Sequence, residues 1–567
     1  MDVRVRLLAL ALAALGAFTP SATAAPGDLD STFSSDGKVT TLGSADTFVA
    51  RAVAVQGDGK TVVGGYSCDD GTCGPTGNSS FRLMRYTPDG GLDTDFGNGG
   101  TVTTAVGTGR SQAFDVVLEA DGGIVAGGVA SASQSDPGSF ALARYRSNGA
   151  LDERFGTGGR VITPVRNGDR FDAIADLVPQ EGGRLVAAGQ AESQDGITRF
   201  ALARYGSRGE LDPSFGDFGG TSVVGGSGRY AFLAAGAVSS DGKIVGVGAA
   251  GPSDRVEDYR FSAIRANGQG RPERPAWTMP LGGSYSFANA ATATGENRVL
   301  VAGVATDGSG RPAMALALTR DGESLDPAWD GDGVALARAG DGAAAADLVG
   351  QPDGRAVAVG HVEASGGFEF AITRFEPNGA LDRGFGREGF ALTSFAPSSV
   401  ARATAVARQA DGRLVVAGLV CSGGQGTQCA GGTSRLALAR YDSEPAPAPA
   451  EPAPGPAAPP ARRAAAPFVS LPSTLRARRG RVRVRLRCLQ SRRCRGTVSL
   501  TRPRSGKSSV LLGRRSVSVP ARRTRVYSLR LRRSLGPSRR IRTRITFRGR
   551  DASGRVRSVS RRATLRH

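Results

Sequence analysis

Between Leu29 and Tyr441 hydrophobic residues come in short runs separated by Gly, Asp and Asn, and the same order of runs keeps returning. Each unit opens on a Leu-Asp segment: LDTDFGNGG from Leu92, LDERFGTGG from Leu151, LDPSFGDFGG from Leu211, LDRGFGREG from Leu381. A short apolar stretch follows, such as Val102 to Thr104, then an alternating run such as Ala52 to Gln56. Next come a turn, at Asp58, Asp121, Gly182, Asp241, Glu296, Asp353 and Asp411, and a Val/Gly/Ala run such as TVVGGY from Thr61. The unit closes on FRLMRY at Phe81, FALARY at Phe140 and Phe200, FAITRF at Phe370 or LALARY at Leu436. Four β-like runs punctuated by turn residues predict a four-stranded antiparallel meander per unit.

The motif leucines Leu29, Leu92, Leu151, Leu211, Leu325 and Leu381 are spaced by 63, 59, 60, 114 and 56 residues. The gap of 114 spans two periods, with a worn copy, RPERPAW, at Arg271 to Trp277. Seven units therefore fill the span, and a constant period of four-stranded units predicts a seven-bladed β-propeller with each unit as one blade. In FALARY, Phe140, Leu142 and Arg144 face one way and Ala141, Ala143 and Tyr145 the other, so the bulk of one blade can fit the alanines of the next. Gly64 and Gly65, echoed by Gly127 and Gly128, suit crowded inner strands near an axis. An open stack or solenoid is the structural alternative.

The ends differ from the repeats. Residues 1–24 read as a signal peptide, with Arg4 and Arg6 before an apolar core from Leu7 to Phe18 and small residues at Ala22 to Ala24, so the protein is expected to be secreted or cell-surface associated, with no transmembrane segment. Residues 25–442 form the expected propeller and 443–467 a Pro/Ala-rich linker, whose stretch from Pro445 to Pro460 spans roughly 50 Å if extended as polyproline. Residues 468–567 alternate, as in VRVRLRC from Val482 and IRTRITF from Ile541, and predict a small immunoglobulin-like β-sandwich.

Charge separates the two folded parts. The formal net charge is +21, but the chain from Ala461 onward holds 34 Lys and Arg against one acid, Asp551, which is +33. The rest carries 38 basic and 50 acidic residues. The cationic module is expected to hold polyanionic envelope components and, nonspecifically, nucleic acid. Its only aromatics are Phe468, Tyr527 and Phe547, few for base stacking. Six cysteines in close pairs predict disulfides 68–73, 421–429 and 488–494.

The unit resembles the delta-60 repeat family, also described as a domain of unknown function with a propeller-like fold. The resemblance is carried by Leu92, Asp93, Phe96, Gly97 and Gly99, by Asp58 and Gly59, and by Phe81, Leu83, Arg85 and Tyr86. It implies a secreted or surface bacterial protein and no catalytic residues. The chain departs from the pattern in its fifth unit, where Leu-Asp becomes Arg271-Pro272. In its sixth, the aromatic is Trp329 in place of Phe, and Leu318-Thr319 replaces Arg-Tyr.

Candidate chemistry is sparse. The recurrent Asp93, Asp152, Asp212, Asp326 and Asp382 are read as turn-fixing groups, with Arg85, Arg144, Arg204, Arg374 and Arg440 as possible partners; Leu318 at the arginine position of the sixth unit argues against an obligatory pair. Calcium at Asp330 and Asp332 is the metal alternative, with no cofactor otherwise expected. His361 follows a strand as a space-filling or solvent-facing residue, and Asp254 with Asp258 is the nearest approach to a glycosidase pair. No nucleophile elbow, zinc-protease motif or nucleotide loop occurs. The expected function is a monomeric, non-catalytic exported scaffold whose propeller contacts a glycan or protein surface; the alternative is an extracellular glycosidase or lyase.

Overall fold

The computed structural model describes residues 24–41, 47–68, 78–131, 137–165, 171–225, 228–279, 281–320, 322–364, 367–395, 400–422, 433–444 and 469–566, the last range without 479, 492, 505–506, 532–539 and 551–555. The chain divides into two compact units, Met1–Ala450 and Glu451–His567. Residues 1–23 of the predicted signal peptide 1–24, residues 445–467 of the predicted linker 443–467, and Cys73, Cys429, Phe468 and Asp551 fall outside the described residues.

The first unit is a seven-bladed β-propeller. Its first blade runs from the inner strand Thr47–Val55 through Thr61–Cys68 and Ser79–Tyr86 to the outer strand Thr101–Thr104, each antiparallel to the last. The other inner strands are Ser111–Leu118, Phe171–Gln180, Tyr230–Val238, Ser286–Gly295, Gly342–Gly350 and Val400–Arg408. Each packs beside the next, and the last meets the first, so the ring closes. Closure uses the chain's own start: Lys38–Thr41 is the outer strand of blade 7, paired with Thr433–Tyr441.

That pairing corrects the phase of the repeat. The Leu-Asp segment and its short strand complete the preceding blade, so the unit read from sequence is a blade displaced by one strand. Blade boundaries survive the two departures. Blade 4 ends on the two-residue strand Trp277–Thr278, and blade 5 on Val334–Ala337 with an added pairing at Ser324–Leu325.

Blade contacts follow the alternation. Phe81 and Leu83 of blade 1 pack on Ala113, Ala141 and Ala143 of blade 2. Phe140 and Leu142 of blade 2 pack on Ala187, Ala201 and Ala203 of blade 3, and the scheme continues until Leu436 and Leu438 of blade 7 meet Phe48, Met84 and Tyr86 of blade 1. The hydrophobic interior is thus a set of junctions between neighbours, and each blade borrows half its core from the next.

The glycine reading changes. All seven inner strands carry a β-bulge at the same place, between Ala50 and Ala52 in blade 1 and between Ala403 and Ala405 in blade 7. Facing it, on the second strand, stand Gly65, Gly128, Gly189, Gly248, Gly303, Gly360 and Gly418, where an added Cβ would lie 1.8–2.0 Å from a carbonyl oxygen of the bulged strand. The bulge, not crowding at the axis, demands these glycines. Gly64 has a separate cause: its Cβ would meet Val116 of blade 2 at 2.1 Å.

The second unit is sandwich-like but built from one eight-stranded sheet curled over its own core as a half-barrel. Along Arg481–Cys488 burial alternates strictly: Val482, Val484 and Leu486 are buried with Leu500, Leu529, Ile545, Phe547 and Leu565, while Arg481, Arg483, Arg485 and Arg487 are exposed. Thr474–Arg478 and Val556–Arg566 pair in parallel, and the other pairings are antiparallel. The predicted Cys488–Cys494 disulfide is present; Cys68 and Cys421 are also disulfide-bonded.

Candidate functional site

The two faces of the propeller are made differently. One carries the repeated tight turns, such as Gln56 to Lys60, and the Leu-Asp segments; the other carries the connections between second and third strands and the start of every inner strand. On the first face the recurrent acids are structural. Arg85 Nε donates to Asp93 at 2.7 Å, Arg204 to Asp212 at 2.9 Å, Arg374 to Asp382 at 2.7 Å and Arg440 to Asp30 at 2.7 Å, while Arg144 pairs with Asp152. Each aspartate also accepts a backbone N–H two residues on, as Asp382 does from Gly384 at 2.9 Å. The arginine lies over the motif aromatic, 4.5 Å from the Phe96 ring centre and 4.7 Å from Phe215, and reaches a carbonyl of the following blade, as Arg204 Nη1 does to Gly268 at 2.6 Å.

The argument against an obligatory pair is corrected by the sixth unit. Asp326 is paired after all, with Arg320 at 2.6 Å and Arg298 at 3.4 Å, from positions offset from Leu318. In the fifth unit Glu273 takes the place of the missing aspartate, and Arg265 Nε donates to it at 2.5 Å. The ion pair outlives the motif that usually supplies it.

The sequence candidates for chemistry lie apart from one another. Asp332 accepts the Val334 N–H at 2.9 Å, and Asp330 is exposed, its proton affinity raised by partial desolvation and then by the charge of Asp332. Among the described residues no cluster of three or more His, Cys, Asp or Glu side chains is arranged to hold a metal ion. Asp258 is held by the Ser253 hydroxyl in the loop before Arg260–Ala266. Two shallow depressions, around Gly97 and Thr101 and around Arg383, Arg387 and Leu392, are walled by repeat-motif positions and carry no comparable constellation.

The residues that converge are on the inner strands, at the mouth of the axial channel on the second face. Two positions before the bulged residue stand Phe232 of blade 4, Phe287 of blade 5 and Arg402 of blade 7; at the bulge stand Arg51, Phe114, Asn289 and Thr404; directly after it stand Asp115, Asp176 and Asp347. Phe232, Tyr259, Phe287 and Tyr285 form a continuous aromatic row, with ring centres 5.5, 5.4 and 5.8 Å apart in turn. His361 is not a solvent-facing residue: its Nε2 lies 2.9 Å from Arg402 Nη2, and burial, aided by that guanidinium, pushes its pKa down to about 3. It is neutral and works as an acceptor.

The three aspartates are half-buried on the channel wall, deep in the protein mass. Asp115 and Asp176, on adjacent blades, hydrogen-bond to each other, and burial raises both; the neighbouring Asp115 charge pushes Asp176 well up. Burial pushes Asp347 up to about 7 against the N–H groups it accepts from Val406 at 2.7 Å and Leu348 at 2.7 Å, and the charge of Asp115 adds to the rise. Each carboxylate also stitches its blade to the next: Asp115 accepts from Leu177 at 2.9 Å and Asp176 from Gly236 at 2.6 Å. Stitching does not require a charge. Asn289 does it by donating to the Ala345 carbonyl at 2.7 Å, and Thr404 by donating to Ala50 at 3.2 Å.

Four segments, residues 56–96, 119–155, 180–215 and 351–385, match the family described as a domain of unknown function (DUF5122) beta-propeller. A beta-propeller domain of this kind is present. The matched segments run from a tight turn to the motif aromatic in repeats that keep both Arg and Leu-Asp; the two divergent units and the closure are not matched. No curated protein matches the chain in sequence. Similar solved structures include a hypothetical protein from Leishmania major, 10% identical over 49% of this chain and 86% of that one, TM-score 0.24. A GH43_1 enzyme from Xanthomonas citri complexed with xylose is 11% identical over 71% and 90%, TM-score 0.28. A putative glycoside hydrolase from Parabacteroides distasonis is 12% identical over 71% and 88%, TM-score 0.27.

These likenesses correct the leaning against catalysis. Glycoside hydrolases are among the similar structures, and the expectation of a non-enzyme is withdrawn, the low TM-scores assigning the chain neither role nor reaction. The physical reason is that Asp115, Asp176 and Asp347 stand on three different blades, where no linear motif shows them together. Among the described residues no helix is long and apolar enough to cross a membrane.

Proposed function

We propose that this protein is an exported propeller of the delta-60 repeat kind that binds a glycan at the axial mouth and cleaves glycosidic bonds there. One arrangement carries the reading: Asp115 and Asp176 hydrogen-bond across two blades, Asp347 lies within electrostatic reach of Asp115, and burial raises the proton affinity of all three. Glycosidic hydrolysis needs one protonated and one ionised carboxyl flanking the scissile bond. Asp347 donates a proton to the leaving oxygen; the singly ionised Asp115–Asp176 pair takes the proton of the water that adds at the anomeric carbon. In the aromatic row Phe232, Phe287 and Tyr285 are half-buried around a buried Tyr259, and the three offer apolar faces on which sugar rings stack.

The test is a screen of the full chain against polysaccharides and oligosaccharides by reducing-end release. Turnover is expected, with kcat/KM falling as pH rises through about 7, because Asp347 then loses the proton it must donate. Asp347→Asn should lower kcat by about 100-fold or more, the scale of a lost general acid, with the melting temperature little changed. Turnover that survives in Asp347→Asn, or none on any glycan, overturns the reading.

A second reading concerns the C-terminal unit. Exposed arginines stand opposite one another across its sheet, Arg476 against Arg483, Arg481 against Arg530 and Arg544 against Arg562. Phe547 is buried in the core and the Tyr527 hydroxyl is bonded to Ser518, which leaves neither as an open stacking platform. We propose that this face retains the protein on an anionic polymer of the cell envelope. Retention on a sulfated matrix should weaken steeply with salt, and Arg481→Ser, Arg483→Ser, Arg485→Ser and Arg487→Ser together should flatten that dependence; retention indifferent to salt refutes it.

A further inference from the structure

On Arg481–Cys488 of the C-terminal unit the outward positions are Arg481, Arg483, Arg485 and Arg487, all exposed, above a buried row of Val482, Val484, Leu486 and Cys488. An antiparallel strand advances about 6.8 Å per two residues, so the four arginines stand at a regular pitch over about 20 Å. The buried row belongs to the core of the unit, and Cys488 is bridged to Cys494, so the pitch is built into the fold before anything binds. Towards Cys488 the line is a single file: Arg485 has Val526 beside it, and Arg487 has Thr524 on one side and Ser470 on the other. At the far end Arg478 and Arg530 flank Arg481, and Arg476 flanks Arg483. From Ala461 to the end of the chain Asp551 is the one acidic side chain, so the countercharge for this line comes from outside the unit.

The pitch discriminates among polyanions. Two residues of a strand comprise six backbone bonds; a phosphodiester of a three-carbon polyol also has six bonds from one phosphorus to the next, and when extended it repeats at about 7 Å. Each phosphate offers two terminal oxygens to one planar guanidinium fork. Such a chain is flexible enough to follow the twist of a strand. A uronic-acid polymer is stiffened by its sugar rings and turns successive carboxylates off a common line, so it meets the arginines out of step. Single-stranded nucleic acid shares the six-bond repeat, but its bases need rings to lie on. Phe547 is buried, and Tyr527 has its hydroxyl bonded to Ser518 and the Arg515 guanidinium carbon 5.8 Å from its ring centre.

We propose that Arg481–Cys488 is a track for a polyol-phosphate polymer, whose successive phosphates are taken by Arg481, Arg483, Arg485 and Arg487. This rests on the envelope-retention reading of the C-terminal unit above and names the polymer. The total charge of the unit draws polyanions in; the spacing of one strand sets which of them it holds.

Calorimetry on the full chain at physiological salt tests this with poly(glycerol phosphate), polygalacturonate and oligothymidylate of matched charge number. Arg481→Ser, Arg483→Ser, Arg485→Ser and Arg487→Ser together are expected to weaken poly(glycerol phosphate) binding at least about tenfold. They should also reduce the slope of log affinity against log salt by about 3, at roughly 0.7 per neutralised phosphate of a single strand. Arg495→Ser, Arg514→Ser, Arg542→Ser and Arg548→Ser remove as much charge from exposed positions on other strands, and should change the affinity less than about threefold. Polygalacturonate should not distinguish the two variants, and oligothymidylate should bind the parent more weakly than the polyol polymer does. Equal losses from the two variants overturn the track while leaving polyanion retention standing. A uronan that separates them as strongly as the polyol phosphate does overturns the selection of phosphate. Oligothymidylate bound as tightly as the polyol polymer, or tighter, overturns the choice of a polyol over a nucleic acid. Binding indifferent to salt, or to none of the three, removes the retention reading as well.

Discussion

At the scale of single residues, position in the repeat decides whether a side chain is scaffold or chemistry. Gly248 is scaffold: a Cβ there would lie 1.8 Å from the Phe232 carbonyl oxygen, closer than any non-bonded contact allows. Gly248→Ala should therefore push the bulge out of register and cost about 1–3 kcal/mol, the usual scale of overpacking, seen as a lower melting temperature. Gly225, where an added Cβ meets nothing within 4 Å, is the control that should melt unchanged when replaced by Ala. Asp347 is the opposite case. Blades 5 and 7 do their stitching from the bulged residue itself, with Asn289 and Thr404, so a carboxyl is more than the joint requires. Its sign also runs against the usual one for an aspartate. Because the folded pKa lies above the unfolded value, the stability it lends is complete below about pH 4 and is lost as pH rises through about 7.

At the scale of the element, the working part is the Arg–Asp turn that ends each third strand. A buried guanidinium is bonded to a carboxylate, stacked on an aromatic ring and tied to a carbonyl of the next blade, so one residue fixes a turn and a junction together. Asp382→Ala leaves Arg374, 3% exposed, without its partner, and should cost about 3–5 kcal/mol, the scale of a broken buried pair. Pairing Asp382→Ala with Arg374→Met should recover much of that loss in urea unfolding, because the apolar replacement removes the stranded charge. A double variant as unstable as the single one would show that the pair matters for something other than its charge. The motif was plain in the sequence, but the pairing in the divergent units was not. Arg298, Arg320 and Glu273 stand at positions no alignment of the repeat would choose, and only the fold brings them to Asp326 and Arg265.

At the scale of the whole molecule, the ring is closed by strands far apart in the chain. Lys38–Thr41 pairs with Thr433–Tyr441, and Arg440 bonds to Asp30, so the first and last parts of the array hold each other. Closure removes the exposed sheet edges an open array would carry and seals the last hydrophobic junction, between Leu438 and Phe48. It also creates the site: Arg402 and Arg51 become neighbours, and Asp115 comes within electrostatic reach of Asp347, only because blade 7 returns to blade 1. In the second unit, strict alternation along Arg481–Cys488 is enough to place four arginines outward, while the curl of a single sheet follows from pairings such as Thr474–Arg478 with Val556–Arg566.

The sequence alone determined what is local and periodic: the number of units, four strands in each, bulk facing alanine, the Cys488–Cys494 bridge and the cationic character of the end. These depend on spacing and side-chain size within a few residues, which a repeat displays openly. Tertiary structure decided the phase of the blades, the reason for the seven glycines, the partner of Asp326 and the gathering of Arg51, Arg402, Asp115, Asp176 and Asp347 at one mouth. Those residues lie on five blades, and the distances and proton affinities that make them a site exist only after the inner strands have been drawn around a common axis.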